Sequence, residues 1–179
     1  MLRTTVIFFT LLLLWWLLGQ ANDYLTPLHV YIFAGGLFVT FAALRLPLRA
    51  GLAAVLLGGM LCDANAPIPP DLRSFAFSMA HAQTLLFAFA FAAVYRLRDR
   101  MARDESLVRV LVAVFANLGI FLGFSFIRLA LTPLPGAAWG RLFVDLIFSQ
   151  AVVALVAPWF FALQGAALTL ARTEPVALN

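Results

Sequence analysis

The chain contains no lysine, a single cysteine (Cys62), two histidines and only 11% charged residues among its 179 positions. Each scarcity closes a class of chemistry. Without lysine there is no Walker A phosphate loop and no Schiff base, so nucleotide hydrolysis would require another subunit. One cysteine permits neither an intrachain disulfide nor a CxxC pair, and it leaves the redox compartment undetermined. His29 and His81 lie far apart in the chain and, with one cysteine, do not make a dedicated zinc site. No cofactor and no metal are expected.

What is abundant is apolar. At 64% hydrophobic residues and a mean hydropathy of +1.01, the side chains exceed what one soluble core of this size can hide, so lipid is the expected solvent. The sequence pI of about 10.2 would point to nucleic acid in a soluble domain. Here the twelve basic residues, all arginine, are spread over loops, as the positive-inside rule expects, and nucleic acid is not an expected partner.

Six apolar runs separated by polar punctuation approach the roughly 20 residues that cross a ~30 Å hydrocarbon core. They are Thr4 to Leu18, Leu28 to Leu44, Leu46 to Leu61, Phe75 to Tyr95, Leu107 to Leu129 and Leu142 to Leu163. The third carries Pro47 and Arg49 in its first turn, positions where proline is tolerated and arginine can snorkel. Six spans put both termini on one side. Arg3, Arg45, Arg49, Arg96, Arg98, Arg100, Arg103, Arg109 and Arg172 then share that side, against Arg73, Arg128 and Arg141 on the other. The bias makes the first side cytoplasmic, and it argues against a re-entrant third run, which would move the basic segment after Tyr95 outside.

The expected fold class is therefore an all-α integral membrane protein, a compact bundle of about six transmembrane helices forming one polytopic domain over 1–179. The first run has a rival reading as a signal peptide, with Gly19-Gln20-Ala21 as a small-x-small cleavage site. Trp15 and Trp16 favour a retained helix with interfacial anchors. The hydrophilic block RLRDRMARDESLVR, Arg96 to Arg109, carries opposite charges at i,i+4 spacing in Asp99 with Arg103, Arg100 with Asp104, and Glu105 with Arg109. It is expected to continue the fourth helix into the cytoplasm and then turn back.

Ionisable groups inside spans are the default functional candidates, because an unpaired charge in hydrocarbon costs several kcal/mol. Asp145 follows Arg141 by four residues, so the two share a helix face and can neutralise each other at the outer end of the sixth run, with Arg128 able to join them. His81 and Gln83, with Ser78 and Thr84, fall in the outer half of the fourth run. Together His81, Gln83, Arg128, Arg141 and Asp145 form an expected outer polar cluster, as a structural ion cluster or as a pocket. Asn117, Ser125, Ser149 and Gln150 are read first as interhelical hydrogen-bonding groups and only then as pocket lining. Gly119 with Gly123, Ala50 with Ala54, Ala76 with Ala80 and Ala88 with Ala92 have the four-residue spacing that lets helix backbones approach. No serine, histidine and carboxylate set has the spacing of a hydrolase, and no enzymatic activity is expected.

The outer connection from Gly58 to Phe75 reads GGMLCDANAPIPPDLRSF. Glycines are expected to close the third helix, Asp63 to mark its exit, and Pro67, Pro69 and Pro70 to stiffen the turn. A helix ending in Gly-x-x-x-Asp, a proline-bearing turn and a long apolar helix ending in arginines resembles the rod shape-determining protein MreD family, as do the length and six-run layout. Family members commonly carry Pro-Leu-Gly after the aspartate, where this chain has Pro69-Pro70-Asp71-Leu72. The resemblance implies a fold similar to the substrate-binding subunits of energy-coupling-factor vitamin transporters. It also implies a non-enzymatic scaffold of the bacterial wall-elongation machinery, in the inner membrane, with MreC-like, MreB-like and RodA-like partners. Arg96, Arg98, Arg100, Arg103 and Arg109 would then face cytoplasmic partners and anionic lipid, and Asp63, Asp71 and Arg73 periplasmic ones. The alternatives are a substrate-binding subunit of a vitamin-type uptake transporter, with an outward pocket at His81, Gln83, Arg128 and Asp145, and a small intramembrane enzyme acting on lipid.

Overall fold

Proline and glycine placement accounts for several of the helix ends. The computed structural model describes residues 2–28, 30–65, 82–100, 105–130 and 135–170. The helices among these residues are α1 (Leu2–Leu25), α2 (Gly35–Arg45), α3 (Leu48–Asn65), α4 (Ala82–Leu97), α5 (Ser106–Ala130) and α6 (Pro135–Leu170), with a 3-10 turn at Thr26–Leu28. Pro47 ends α2, because its ring disfavours helical backbone at the preceding residue; Leu46 is extended, with φ −104° and ψ 153°. The Leu46 N–H still closes onto the Ala42 carbonyl at 3.0 Å, and the Gly51 N–H donates to the Pro47 carbonyl at 2.8 Å. A corner of two residues thus joins α2 to α3.

α1 and α3 outrun the expected apolar runs at their C-terminal ends, and four further differences from the sequence expectation bear on the fold. The run from Leu28 to Leu44 is not one helix, since residues 30–34 are irregular and α2 begins only at Gly35. Its cause is tertiary: side chains of three other helices take up the backbone groups that a helix would have paired within itself. Gly58 and Gly59 lie inside α3 rather than closing it. At Gly59 an added Cβ would sit 2.5 Å from the Thr84 Cα, so this glycine serves close packing against α4. The arginine block does not prolong α4, which stops at Leu97 with a turn closed by the Arg100 N–H on the Leu97 carbonyl at 2.9 Å. Finally α6, at 36 residues, overruns the expected run at both ends. Pro135 opens it, where a missing N–H costs nothing, whereas Pro158 within it deprives the Ala154 carbonyl of its helical donor.

α2 is the axis of the fold. Every residue from Gly35 to Leu44 is buried, and α2 contacts α3, α4, α5 and α6. A helix apolar on all sides must be surrounded on all sides. Phe33 meets Phe87 edge to face at a centroid distance of 6.1 Å, and Phe41 meets Phe160 likewise at 6.1 Å. Small residues set how closely its neighbours approach: an added Cβ at Gly35 would strike the Phe87 ring, and one at Gly36 would strike the Asn117 backbone. α3 and α4 run antiparallel, with Gly59 against Thr84 at one end and Gly51 against Phe91 at the other. The anticipated Gly119 and Gly123 pair does not act as a unit, since Gly123 packs on Leu86 while no described atom approaches Gly119.

The two ends of this bundle differ in charge. Arg98 reaches the carbonyl of Leu46, and the Arg109 guanidinium carbon lies 5.9 Å from the Phe161 ring centroid, which gathers Arg45, Arg49, Arg96, Arg98, Arg100 and Arg109 at the C-terminal end of α2. Arg141 lies at the opposite end, beside Asp145 and Tyr31. Between them the flanks are apolar and open, with Phe9 65%, Phe89 73%, Leu155 73% and Trp159 79% exposed. Among the described residues, two helical segments, 106–127 and 139–167, are long and apolar enough to cross a membrane.

Gly36→Ala is expected to destabilise the fold by about 1–3 kcal/mol through overpacking against the α5 backbone. Gly119→Ala, in open space, is expected to be neutral or stabilising by up to about 1 kcal/mol. Thermal unfolding of the two purified variants against the parent chain measures the contrast, and equal destabilisation would contradict this account of the two sites.

Candidate functional site

The polar residues of the interior converge on the break that precedes α2. An exposed peptide group can hydrogen-bond water, but a buried one needs a protein partner, and an unsatisfied buried group costs about 1–3 kcal/mol. Residues 31–36 find theirs in four side chains. Asn22, on α1, pairs both ways with Ile32: its Nδ2 donates to the carbonyl at 2.9 Å, and its Oδ1 accepts the N–H at 2.7 Å. Asp145, on α6, accepts the Tyr31 N–H through Oδ1 at 2.8 Å. Ser149, one turn further along α6, accepts the Phe33 N–H at 2.9 Å and donates to the Tyr31 carbonyl at 3.4 Å. Asn117, on α5, donates to the Phe33 carbonyl at 2.9 Å and accepts the Gly36 N–H at 3.0 Å.

This arrangement also supplies the missing N-cap of α2. Its first turn holds no acidic residue, and Ala34 has no capping side chain, so Asn117 provides from a neighbouring helix the acceptor that a local serine or aspartate ordinarily provides. Asn117 and Ser149 are both wholly buried, and their bonds go to the irregular segment before α2 and, for Asn117, also to Gly36 in the first turn of α2. Gln150, expected to behave similarly, has neither amide atom partnered although both are buried.

A second cap of the same kind lies between α3 and α4. Asp63, near the end of α3, accepts the Gln83 N–H through Oδ1 at 3.0 Å, and through Oδ2 the Thr84 N–H at 3.0 Å and the Thr84 hydroxyl at 2.6 Å. A carboxylate there satisfies first-turn donors and complements the positive end of the α4 dipole. Asp63 was expected to face periplasmic partners. It is instead buried, because the start of α4 uses its oxygens.

Of the expected outer cluster, the described residues bring one pair together. Arg141 and Asp145 do meet, with Arg141 Nε 3.9 Å from Asp145 Oδ2, on the i,i+4 face expected. Arg141 is well exposed, so this pair contributes little by itself, and the shorter contact of Asp145 is to the Tyr31 backbone. Gln83 sits with Asp63 and Thr84, on the other pair of helices. His81, Asp71, Arg73, Arg103 and the side chain of Arg128 lie outside the described residues.

Of the arginines assigned to a cytoplasmic face, Arg96 and Arg100 are exposed. Arg98 is turned inward. Its Nη1 donates to the Leu46 carbonyl at 3.3 Å, its guanidinium carbon lies 3.7 Å from the Tyr95 ring centroid, and its Nε lies 3.7 Å from Asp99. It thereby caps the C-terminal end of α2, where a cation opposes the negative helix end. Arg109 is half-buried against Phe161. Among the described residues, no group of three or more histidine, cysteine or acidic side chains is placed to hold a metal.

Sequence reasoning did not single out Asn22, Gly35, Gly36 or the capping role of Arg98. A signal was present in the Gly35-Gly36 pair, which interrupts an apolar run where a helix gains nothing from glycine. Comparisons with family models, curated proteins and solved structures yield no match.

Asn117→Leu is expected to destabilise by about 2–4 kcal/mol, because it leaves the Phe33 carbonyl and the Gly36 N–H buried without partners. Asp145→Asn keeps an acceptor for the Tyr31 N–H and is expected to cost about 1 kcal/mol or less, against about 1–3 for Asp145→Ala. Denaturation midpoints of the three variants check the order, and equal losses for Asp145→Asn and Asp145→Ala would point to the charge instead of the hydrogen bond.

Proposed function

We propose that this chain is a multi-pass protein of a bacterial inner membrane, with both termini cytoplasmic. In this reading the arginine end of the bundle lies in the cytoplasm, and the exposed flanks of α1, α4, α5 and α6 meet lipid. The support is threefold: two segments long enough to span, large apolar residues open on the flanks, and six arginines gathered at one end. α1 and α3 would also span, while α2, at 11 residues, would cross together with the irregular segment before it. Irregular backbone at membrane depth is tolerated where protein groups satisfy it, as Asn22, Asn117, Asp145 and Ser149 do.

Within that setting the chain acts as a non-enzymatic scaffold of the wall-elongation and cell-shape machinery, with MreC-like, MreB-like and RodA-like partners. One observation carries the preference for a scaffold over a transporter subunit or an enzyme. Asp145, Asp63, Asn117 and Ser149, four of the buried polar groups that a pocket or a reaction would call upon, are engaged in holding backbone, while Gln150 is buried without such a role. Such a protein is built to be rigid, with its lipid-facing flanks and its arginine end left for contacts.

Depletion in a rod-shaped host, followed by imaging of the cells and of new wall, is expected to produce rounding and loss of directed synthesis, with the protein recovered in the inner-membrane fraction. Normal rods on depletion would overturn the scaffold reading. A vitamin-like molecule retained by the purified protein in native mass spectrometry would replace it with the transport reading.

A further inference from the structure

We propose that the corner where α2 passes into α3, beside the end of α4, binds the headgroup of an anionic phospholipid in the leaflet on the arginine side. The inference rests on the membrane reading above and adds a site to it. Arg98 ties the corner together through its bond to the Leu46 carbonyl, while its guanidinium carbon lies 3.7 Å from the Tyr95 ring centroid and its Nε 3.7 Å from Asp99. Its charge is directed inward. The arginines around that bond have the opposite character: Arg49, in the first turn of α3, and Arg96 and Arg100, two residues to either side of Arg98, are all exposed. The acidic residue among them, Asp99, is itself exposed and lies 3.7 Å from Arg98, so the three exposed arginines outnumber it and the face keeps a net positive charge.

Apolar surface adjoins each end of this patch. Leu48 is 51% exposed beside Arg49, with Leu52 37% exposed one turn on, and Leu97 is 50% exposed beside Arg96. Cationic groups one residue from open leucines suit a ligand that carries its negative charge and its hydrocarbon on the same molecule. A free anion or an acidic soluble peptide would use only the arginines. Guanidinium groups suit the headgroup because their planar donors bind phosphate oxygens in pairs.

Native mass spectrometry of the detergent-purified protein, offered equal amounts of phosphatidylglycerol and phosphatidylcholine, tests the site. Phosphatidylglycerol is expected to be retained preferentially. The combined R49Q, R96Q and R100Q variant, with its helical content checked by circular dichroism, is expected to lower that preference by about a hundredfold, at roughly fivefold per arginine. R49Q alone is expected to give a single-arginine decrease, which serves should the combined variant fail to fold, and R141Q at the opposite end is expected to leave the preference unchanged. Equal retention of the two lipids would overturn the site, as would a preference that survives in R49Q and the combined variant. Displacement of phosphatidylglycerol by millimolar inorganic phosphate would make it a free-anion site and overturn it too. Recovery of the protein in soluble form without detergent would instead overturn the membrane reading on which the site depends.

Discussion

A peptide group removed from water must find a hydrogen bond, and in this protein that constraint bears most heavily on residues 31–36. There the chain runs irregularly into the middle of the helices before it coils into α2. Asn22, Asn117, Asp145 and Ser149 answer the requirement from α1, α5 and α6, and in doing so they fix where those helices stand around α2. Loss of any one partner leaves a buried group orphaned, so hydrogen bonding and helix placement are coupled.

The same logic recurs at two other helix ends. α4 starts against Asp63 of α3, and α2 ends against Arg98 from the turn after α4. In each case the capping side chain comes from another element, so capping energy becomes tertiary energy. Glycine completes the scheme. Gly35, Gly36, Gly51 and Gly59 let Phe87, Asn117, Phe91 and Thr84 approach where a methyl group would collide. Close packing of this kind holds helices together in water and would do so equally in lipid, where apolar surface gains nothing from leaving the solvent.

Much of this was legible in the sequence. Hydropathy marks α5 and most of α6 because long apolar runs have few alternatives to a helix, and Pro47 marks the end of α2 by its own sterics. The Arg141 and Asp145 pair follows from helical spacing alone. The break at residues 30–34 was hardly legible, since Val30, Tyr31, Ile32, Phe33 and Ala34 are as apolar as their neighbours and the local signal is the Gly35-Gly36 pair that follows them. Asp63 was misread for a related reason: a carboxylate after a helix looks exposed until the start of another helix is placed upon it.

Composition and charge by themselves determined the helical class, the exclusion of lysine-dependent chemistry and the division of the arginines between two ends. These are local or additive properties, set by side-chain transfer energies and backbone propensity. Only the tertiary structure decided which polar groups remain available. Whether Asp145, Asp63, Asn117 or Arg98 could meet a ligand depends on whether another segment's peptide groups already occupy it, and that is a relation between residues distant in the chain.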